Sequence, residues 1–175
     1  MSCPLTAGYS IGCRDSQGGI DYVIALQLEN IEDITVVAGE VTAITVVVGE
    51  QGYKIEQEQG TGMFDDNPIG NRENGTYRSE QSLSLVLNDR KTETRNLVNL
   101  LAKNRLVFLV FENTGRISLA GLERGLMLAD GAGGTGTAHE DRNGYTLPFS
   151  GTEREQAPTV GLNDAAILAL LSPAE

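Results

Sequence analysis

The chain contains no tryptophan, a single histidine (His139), two cysteines and an aromatic content of 5%. So few aromatic rings leave little platform for stacking single-stranded nucleic acid or sugars. One histidine cannot supply the second imidazole that many metal sites require. Cys3 and Cys13 have no CxxC partner and no downstream Cys/His pair. Zinc is therefore disfavoured, and in a cytoplasmic product so is a structural disulfide; both are expected as buried or half-buried thiols. No run approaches the roughly 20 apolar residues needed to cross a bilayer. The opening Met1–Gly8 lacks the basic and apolar regions of a signal peptide, so the expected product starts at or just after Met1 and is made in a cytoplasm. Bases are also scarce: 13 against 24 acids, a net charge of −11. Affinity for phosphate needs Lys and Arg to neutralise it, so sequence-specific DNA or RNA binding is disfavoured.

What is present is 175 residues, 40% of them hydrophobic. That length suits one domain over residues 1–175, which can bury roughly 70% of its unfolded surface. No linker divides it, and no period of a solenoid or propeller repeats. Charge is uneven along the chain. Residues 29–80 carry eleven acids and three bases, whereas residues 81–126 carry four acids and seven bases. Solvated faces often differ in this way, but the asymmetry also suits a subunit that stacks one surface on the complementary surface of a copy.

Alternation is the clearest pattern. Ile20, Tyr22, Ile24, Leu26 and Leu28 share one parity and predict a strand with one apolar face. Ala43–Val48 is β-branched and bounded by Gly39 and Gly49. Tyr53–Glu58 alternates, and Thr76–Leu87 alternates longest, with Tyr77, Ser79, Gln81, Leu83, Leu85 and Leu87 on one side; its polar end is expected to project beyond the core. Between them Gly60–Gly75 shows no period and is expected as a long inter-strand loop, whose Met63, Phe64 and Ile69 would dock on a neighbour. Deleting it should then leave a folded monomer unable to polymerise. Residues 89–103 predict one amphipathic helix, capped by Asp89, with Leu97, Val98, Leu100 and Leu101 as its stripe. Arg105–Glu112, a turn at Asn113–Arg116 and Ile117–Leu122 read as a hairpin. Gly131–Thr137 reads as a connector. Gly144–Ser150 reads as a strand at an edge or bulge, because Pro148 has no N–H. Asn163 should cap a short last helix over Asp164–Leu171. About seven strands and one or two helices give an all-β or β-dominated fold, with residues 1–19 as an N-terminal arm.

No catalytic constellation emerges. His139-Glu140-Asp141 are consecutive and cannot converge on a point. Asp65-Asp66-Asn67, with Asn71 and Glu73, lacks the spacing and closing Glu of a calcium loop. The glycines at 131–136 lead into no Lys-Ser/Thr and no helix, so a phosphate cradle fails. Thr6, Ser10 and Ser16 near Cys13 have no base in view. The reading is non-enzymatic: no catalytic residues, no cofactor and no metal.

Two segments resemble a known family. Cys3-Pro-Leu-Thr-Ala-Gly-Tyr-Ser-Ile-Gly-Cys-Arg-Asp-Ser-Gln-Gly-Gly-Ile20 looks like the opening of structural proteins from phages and prophages of Bacteroidetes-type hosts. Asp141-Arg-Asn-Gly-Tyr-Thr-Leu-Pro-Phe-Ser-Gly-Thr-Glu-Arg-Glu155 is similar to their final strand, with Pro148 where those proteins have Thr. The resemblance is to bacteriophage tail tube proteins. It implies a β-sandwich or barrel with one flanking helix. It also implies a homo-oligomeric ring, commonly hexameric, stacked into a tube with other tail proteins in the virion tail. The inner strands would form a continuous barrel with an acidic lumen, through which DNA passes without sequence-specific binding. Strands 53–58 and 76–87 would then put Glu56, Glu58 or Glu80 near the DNA path. The competing readings are the inner tube of a contractile injection system, a capsid decoration or collar protein, a monomeric ligand-binding barrel, and an uncharacterised enzyme.

Overall fold

A computed structural model describes residues 7–11 and 16–171. The elements run β1 (Ile20–Gln27), a 3-10 turn at Leu28–Asn30, β2 (Ile31–Val37), β3 (Glu40–Val46), β4 (Tyr53–Glu56), β5 (Met63–Asn71) and β6 (Thr76–Leu87). They continue as α1 (Thr92–Leu101), β7 (Leu106–Glu112), β8 (Ile117–Ala120), β9 (Met127–Leu128), β10 (Ala132–Gly134), β11 (Gly144–Glu153), β12 (Thr159–Val160) and α2 (Asp164–Leu170). Seven strands form one sheet in the order β2-β3-β12-β8-β7-β1-β4, and β10-β11-β6-β5 form a second, with β9 beside β11. The fold is strand-dominated with two packed sheets, as the alternation predicts.

The adjacent strands β1 and β7 explain the layering. Their sequences are apolar at both parities, so each can bury both faces, unlike a strand with one wet side. Val23, Ala25, Leu106, Phe108 and Val110 face the second sheet, where they meet Leu83, Leu85, Leu147 and Phe149. Phe108 and Phe149 touch across the layers with centroids 5.0 Å apart, a tilted aromatic pair. Ile24, Leu26, Val107 and Leu109 point the other way and are covered by Ile167 and Leu170 of α2. At the rim of that outer layer Tyr22 stacks on Phe111 at 4.0 Å, and the Lys54 ammonium sits 4.3 Å over the Tyr22 ring.

Several expectations change on contact with the fold. Ile20 leaves its alternation partners and joins the inter-sheet core, because the β1–β7 register shifts between Ile20 and Tyr22. A bulge inserts one residue and so reverses the parity of everything beyond it. Gly60–Gly75 is not a loop: Met63–Asn71 pairs with β6 along its full length, from Met63↔Ser84 to Asn71↔Thr76. Deletion of Gly60–Gly75 would therefore strip β6 of a partner, and a folded monomer is no longer its expected product. Pro68 is tolerated there because β5 is an edge strand. The strand expected at 43–48 runs from Glu40 to Val46, with β2 as an unexpected partner. The Gly131–Thr137 connector contains β10.

The helix expected over 89–103 spans Thr92–Leu101, and its N-cap position is Lys91, without a side-chain cap. Asp89 instead pairs with the Lys91 ammonium at 2.6 Å, and that hydrogen bond holds its carboxyl below the usual aspartate value. Leu97, Val98 and Leu101 pack on the inter-sheet core, but Leu100 is exposed. Asn163 does cap α2, its Oδ1 accepting the Ala166 N–H at 2.8 Å.

Pro148 lies inside β11 opposite Ser84 of β6 and not at a sheet edge. Its carbonyl accepts the Ala129 N–H at 2.8 Å, on the side away from β6. N–H and C=O of one strand residue point to the same side, so the missing proline donor costs the β6 ladder nothing. On that side β10 ends at Thr146 and β9 begins at Phe149, leaving Pro148 in the gap between them. Phe149→Ala would remove a ring with no solvent exposure from the contact between sheets. A loss of about 3–5 kcal/mol is expected in equilibrium denaturation.

Candidate assembly surface

Directly opposed residues in antiparallel strands share a face, so the pairings of β6 define two surfaces. Leu83 lies opposite Phe64 and Phe149, and Leu85 opposite Leu147; these point inward. Continuing that parity, Gln81 and Ser79 also point inward, with Asp66 opposite Gln81 and Glu153 opposite Ser79. The polar end of β6 was expected to project from the core, yet Ser79 and Gln81 are buried and only Thr76–Arg78 are exposed.

Burial of those polar side chains is made tolerable by specific hydrogen-bond partners. Gln81 Oε1 accepts the Gly121 N–H at 2.8 Å. Glu153, only 3% exposed, accepts the N–H groups of Glu123 at 3.2 Å and Arg124 at 2.9 Å. Asp66 accepts the Ser79 hydroxyl through Oδ1 and the Ala157 N–H at 2.7 Å through Oδ2. Gly121 is required where it stands: its φ is +79°, and a Cβ would lie 3.0 Å from three backbone atoms. Two side chains of the second sheet thus satisfy three amides of the turn that follows β8. No buried side-chain nitrogen or oxygen lacks a partner among the described residues.

The opposite parity builds the outer face. Glu80 lies between Asn67 and Thr152, Ser82 between Asp65 and Ser150, and Ser84 between Met63 and Pro148. Arg78 is the one base among the strand residues of this face, and its guanidinium is bound to Glu80 at 2.7 Å. The face is therefore mostly short hydroxyls, amides and carboxylates, with its cation already paired; Met63 and Ile69 on β5 and Met127 on β9 add apolar side chains along its edge strands. Among the described residues both edges of the sheet are open: β5 pairs only with β6, and β10 only with β11. Beyond Asn71 and before Thr76 the hairpin turns tightly, Asn71 Oδ1 accepting the Glu73 N–H at 2.9 Å and Gly75 taking φ +62°.

The carboxylates expected together are separated. Glu80 is on this outer face, but Glu56 is on β4, an edge of the other sheet, bonded to Lys54 at 2.9 Å. That hydrogen bond keeps the Glu56 carboxyl below its ordinary range and raises Lys54. Asp65 and Asp66 are successive strand residues that point to opposite faces, so they cannot ligate one calcium ion. His139 and Glu140 are exposed, and Asp141 closes their turn by accepting the Thr137 and Ala138 N–H groups at 2.7 and 2.8 Å. Those two bonds, Ala138 foremost, lower its carboxyl pKa. Ser10 and Ser16 are exposed; Cys3, Thr6 and Cys13 lie outside the described residues. Among the described residues no cluster of three or more His, Cys, Asp or Glu could hold a metal ion. Likewise no helix is long and apolar enough to cross a membrane.

A cleft of about 1000 Å³ opens where the two sheets part, between Gly60–Asp66, the β7–β8 hairpin and Gln17–Ile20. Comparison with family models, curated proteins and solved structures finds no match. Glu153→Ala would leave the half-buried amides of Glu123 and Arg124 without their acceptor. A loss of about 2–4 kcal/mol is expected by chemical denaturation, while Glu153→Gln, which keeps one carbonyl oxygen, should lose less.

Proposed function

We propose that this chain is a structural subunit of a bacteriophage tail tube, which assembles into stacked rings around a conduit for DNA. The outer face of the β10-β11-β6-β5 sheet carries that reading. DNA presents one negative charge per about 1.7 Å of helix axis, and a protein holds it by releasing counterions with free Lys and Arg. A wall of Ser82, Ser84, Ser150 and Thr152, with Asp65 and Glu80 and an Arg78 already neutralised, offers no such exchange. Small hydroxyls keep the middle of the wall hydrated, and the larger Met63, Ile69 and Met127 stand on its edge strands.

The open edges at β5 and β10 support the same reading. An unpaired edge is a template for another strand. Pairing β5 of one copy with β10 of the next would continue the sheet from subunit to subunit and close it as a barrel, which removes the edges altogether. The other sheet, its outer side covered by α2, would form the outside of the tube.

Negative-stain microscopy of the purified protein should show hollow tubes. Discrete rings would instead indicate a collar or connector, and a monomer at every concentration would overturn the reading. Lumen assignment has its own test. Ser82→Lys with Ser84→Lys should leave tubes intact but make them retain labelled duplex DNA at low salt, releasing it as salt rises. If unmodified tubes hold DNA as tightly as that variant, the polar sheet face is not the lumen.

A further inference from the structure

Tyr9 and Ile11 are 93% and 88% exposed, the highest among the large hydrophobic residues described. They belong to an irregular stretch, Ala7–Ile11, in which Ala7, Tyr9 and Ile11 alternate with Gly8 and Ser10. In an extended chain that spacing places the apolar side chains on one side. An isolated copy gives them nothing to cover their surface, and the stretch carries no charge.

The arm joins the body at Gly18 and Gly19, held by the Asn113 side chain to Gly18 O at 2.8 Å and the Asn113 N–H to Gly19 O at 3.2 Å. Those same glycines form one wall of the cleft of about 1000 Å³. Two of its three carboxylates are engaged, Glu112 with Arg116 and Ser118 and Asp66 with Ser79 and Ala157, and the third, Asp65, belongs to the outer parity of β5. What remains free inside is the half-buried Phe64 ring, the exposed Met63 and the solvent-facing part of the Arg116 guanidinium. An aromatic with a polar tip and a branched aliphatic side chain match those groups.

We propose that Tyr9 and Ile11 of one copy anchor in this cleft of a second copy, a contact that rests on the self-assembly reading above. Charge favours such a device. Two bodies at −11 repel when face meets face, whereas an arm of no net charge reaches across without adding like charge. From Gln17 to Tyr9 the chain spans at most about 28 Å, so the receiving cleft must belong to an immediate neighbour. When each copy gives its arm to one neighbour and receives an arm from another, the contact is head-to-tail and generates rings or filaments, whereas reciprocal exchange between two copies would close a dimer.

The test replaces Tyr9 with photoreactive p-benzoylphenylalanine in the full chain. Light and heavy isotope forms are mixed in equal amounts, assembled and irradiated. Cross-linked peptides pairing a light with a heavy chain should map to Gly60–Asp66 or Arg116–Ser118. Pairs from one isotope alone would show the arm folding back on its own body, and hybrid pairs mapping elsewhere would displace the site; either overturns the proposal. Tyr9→Ser with Ile11→Ser, and separately Met63→Glu at the cleft mouth, should raise the concentration at which assembly begins by about tenfold or more. All three positions are exposed, so the melting temperature should not move. Hollow tubes forming equally well from the Tyr9/Ile11 variant would overturn the arm and leave the tube reading standing. Hybrid cross-links at the cleft in assemblies without a bore would uphold the arm and overturn the tube.

Discussion

Three backbone amides in the turn after β8 have no acceptor within their own sheet, and the fold depends on how they are satisfied. Gly121, Glu123 and Arg124 donate to Gln81 and Glu153, side chains from the facing sheet. An apolar contact between layers tolerates sliding, since its energy follows area and not direction. Hydrogen bonds do not, and a buried amide left without a partner costs more than the bond itself contributes. The Phe108–Phe149 contact holds the sheets together; the Gln81 and Glu153 bonds fix where on each other they sit. Asp66 extends the same control to the edge strand, since it ties β5 both to Ser79 of β6 and to the backbone at Ala157.

That arrangement leaves one surface without structural duty. Every inward side chain of β6 from Ser79 to Leu85 is committed to the core or to its polar extension. The alternate residues are therefore free of core packing. Glu80, Ser82 and Ser84 pack little and pair with nothing in the other layer, yet they sit on the best-anchored strand of the sheet. A rigid wall with an inert, hydrated, weakly acidic face is the combination a conduit for DNA requires, and an ordinary soluble domain gains nothing particular from it.

Much of this was legible in the sequence and some was not, for identifiable reasons. β6 and β7 were readable because strict alternation in one, and a continuous apolar run in the other, leave few alternatives to a half-buried and a fully buried strand. The α2 cap at Asn163 is a local interaction and was equally visible. β5 was hidden because Asp65, Asp66, Asn67, Pro68 and Gly70 are poor strand formers. It is a strand because β6 offers a complete ladder beside it, and tertiary pairing overrides weak local preference. The bulge after Ile20 could not be seen, since it depends on which residue of β7 each residue of β1 meets. The buried Ser79 and Gln81 were in plain view on the Leu83 and Leu85 parity. Their polarity suggested solvent, and only the facing turn supplied a reason to bury them. Glu153 had no signal at all, because a buried carboxylate is recognisable only by its partners.

Acidity sets the remaining constraint on any assembly of this chain. At −11 per copy, repulsion between copies grows with each subunit added, so contacts must be made where charge is low or paired. The structure has such places. Edges at β5 and β10 offer backbone hydrogen bonds, which are indifferent to net charge, and the Ala7–Ile11 stretch is uncharged and apolar. Arg78, Lys54 and Lys91 are each bound to a carboxylate of the same chain, so they are poorly placed to bridge copies. Association would then come from strand edges and apolar anchors, with the surplus acid left on surfaces facing water or DNA. In the proposed tube, the surplus that would keep the lumen from holding DNA would also dictate which parts of one copy can hold another.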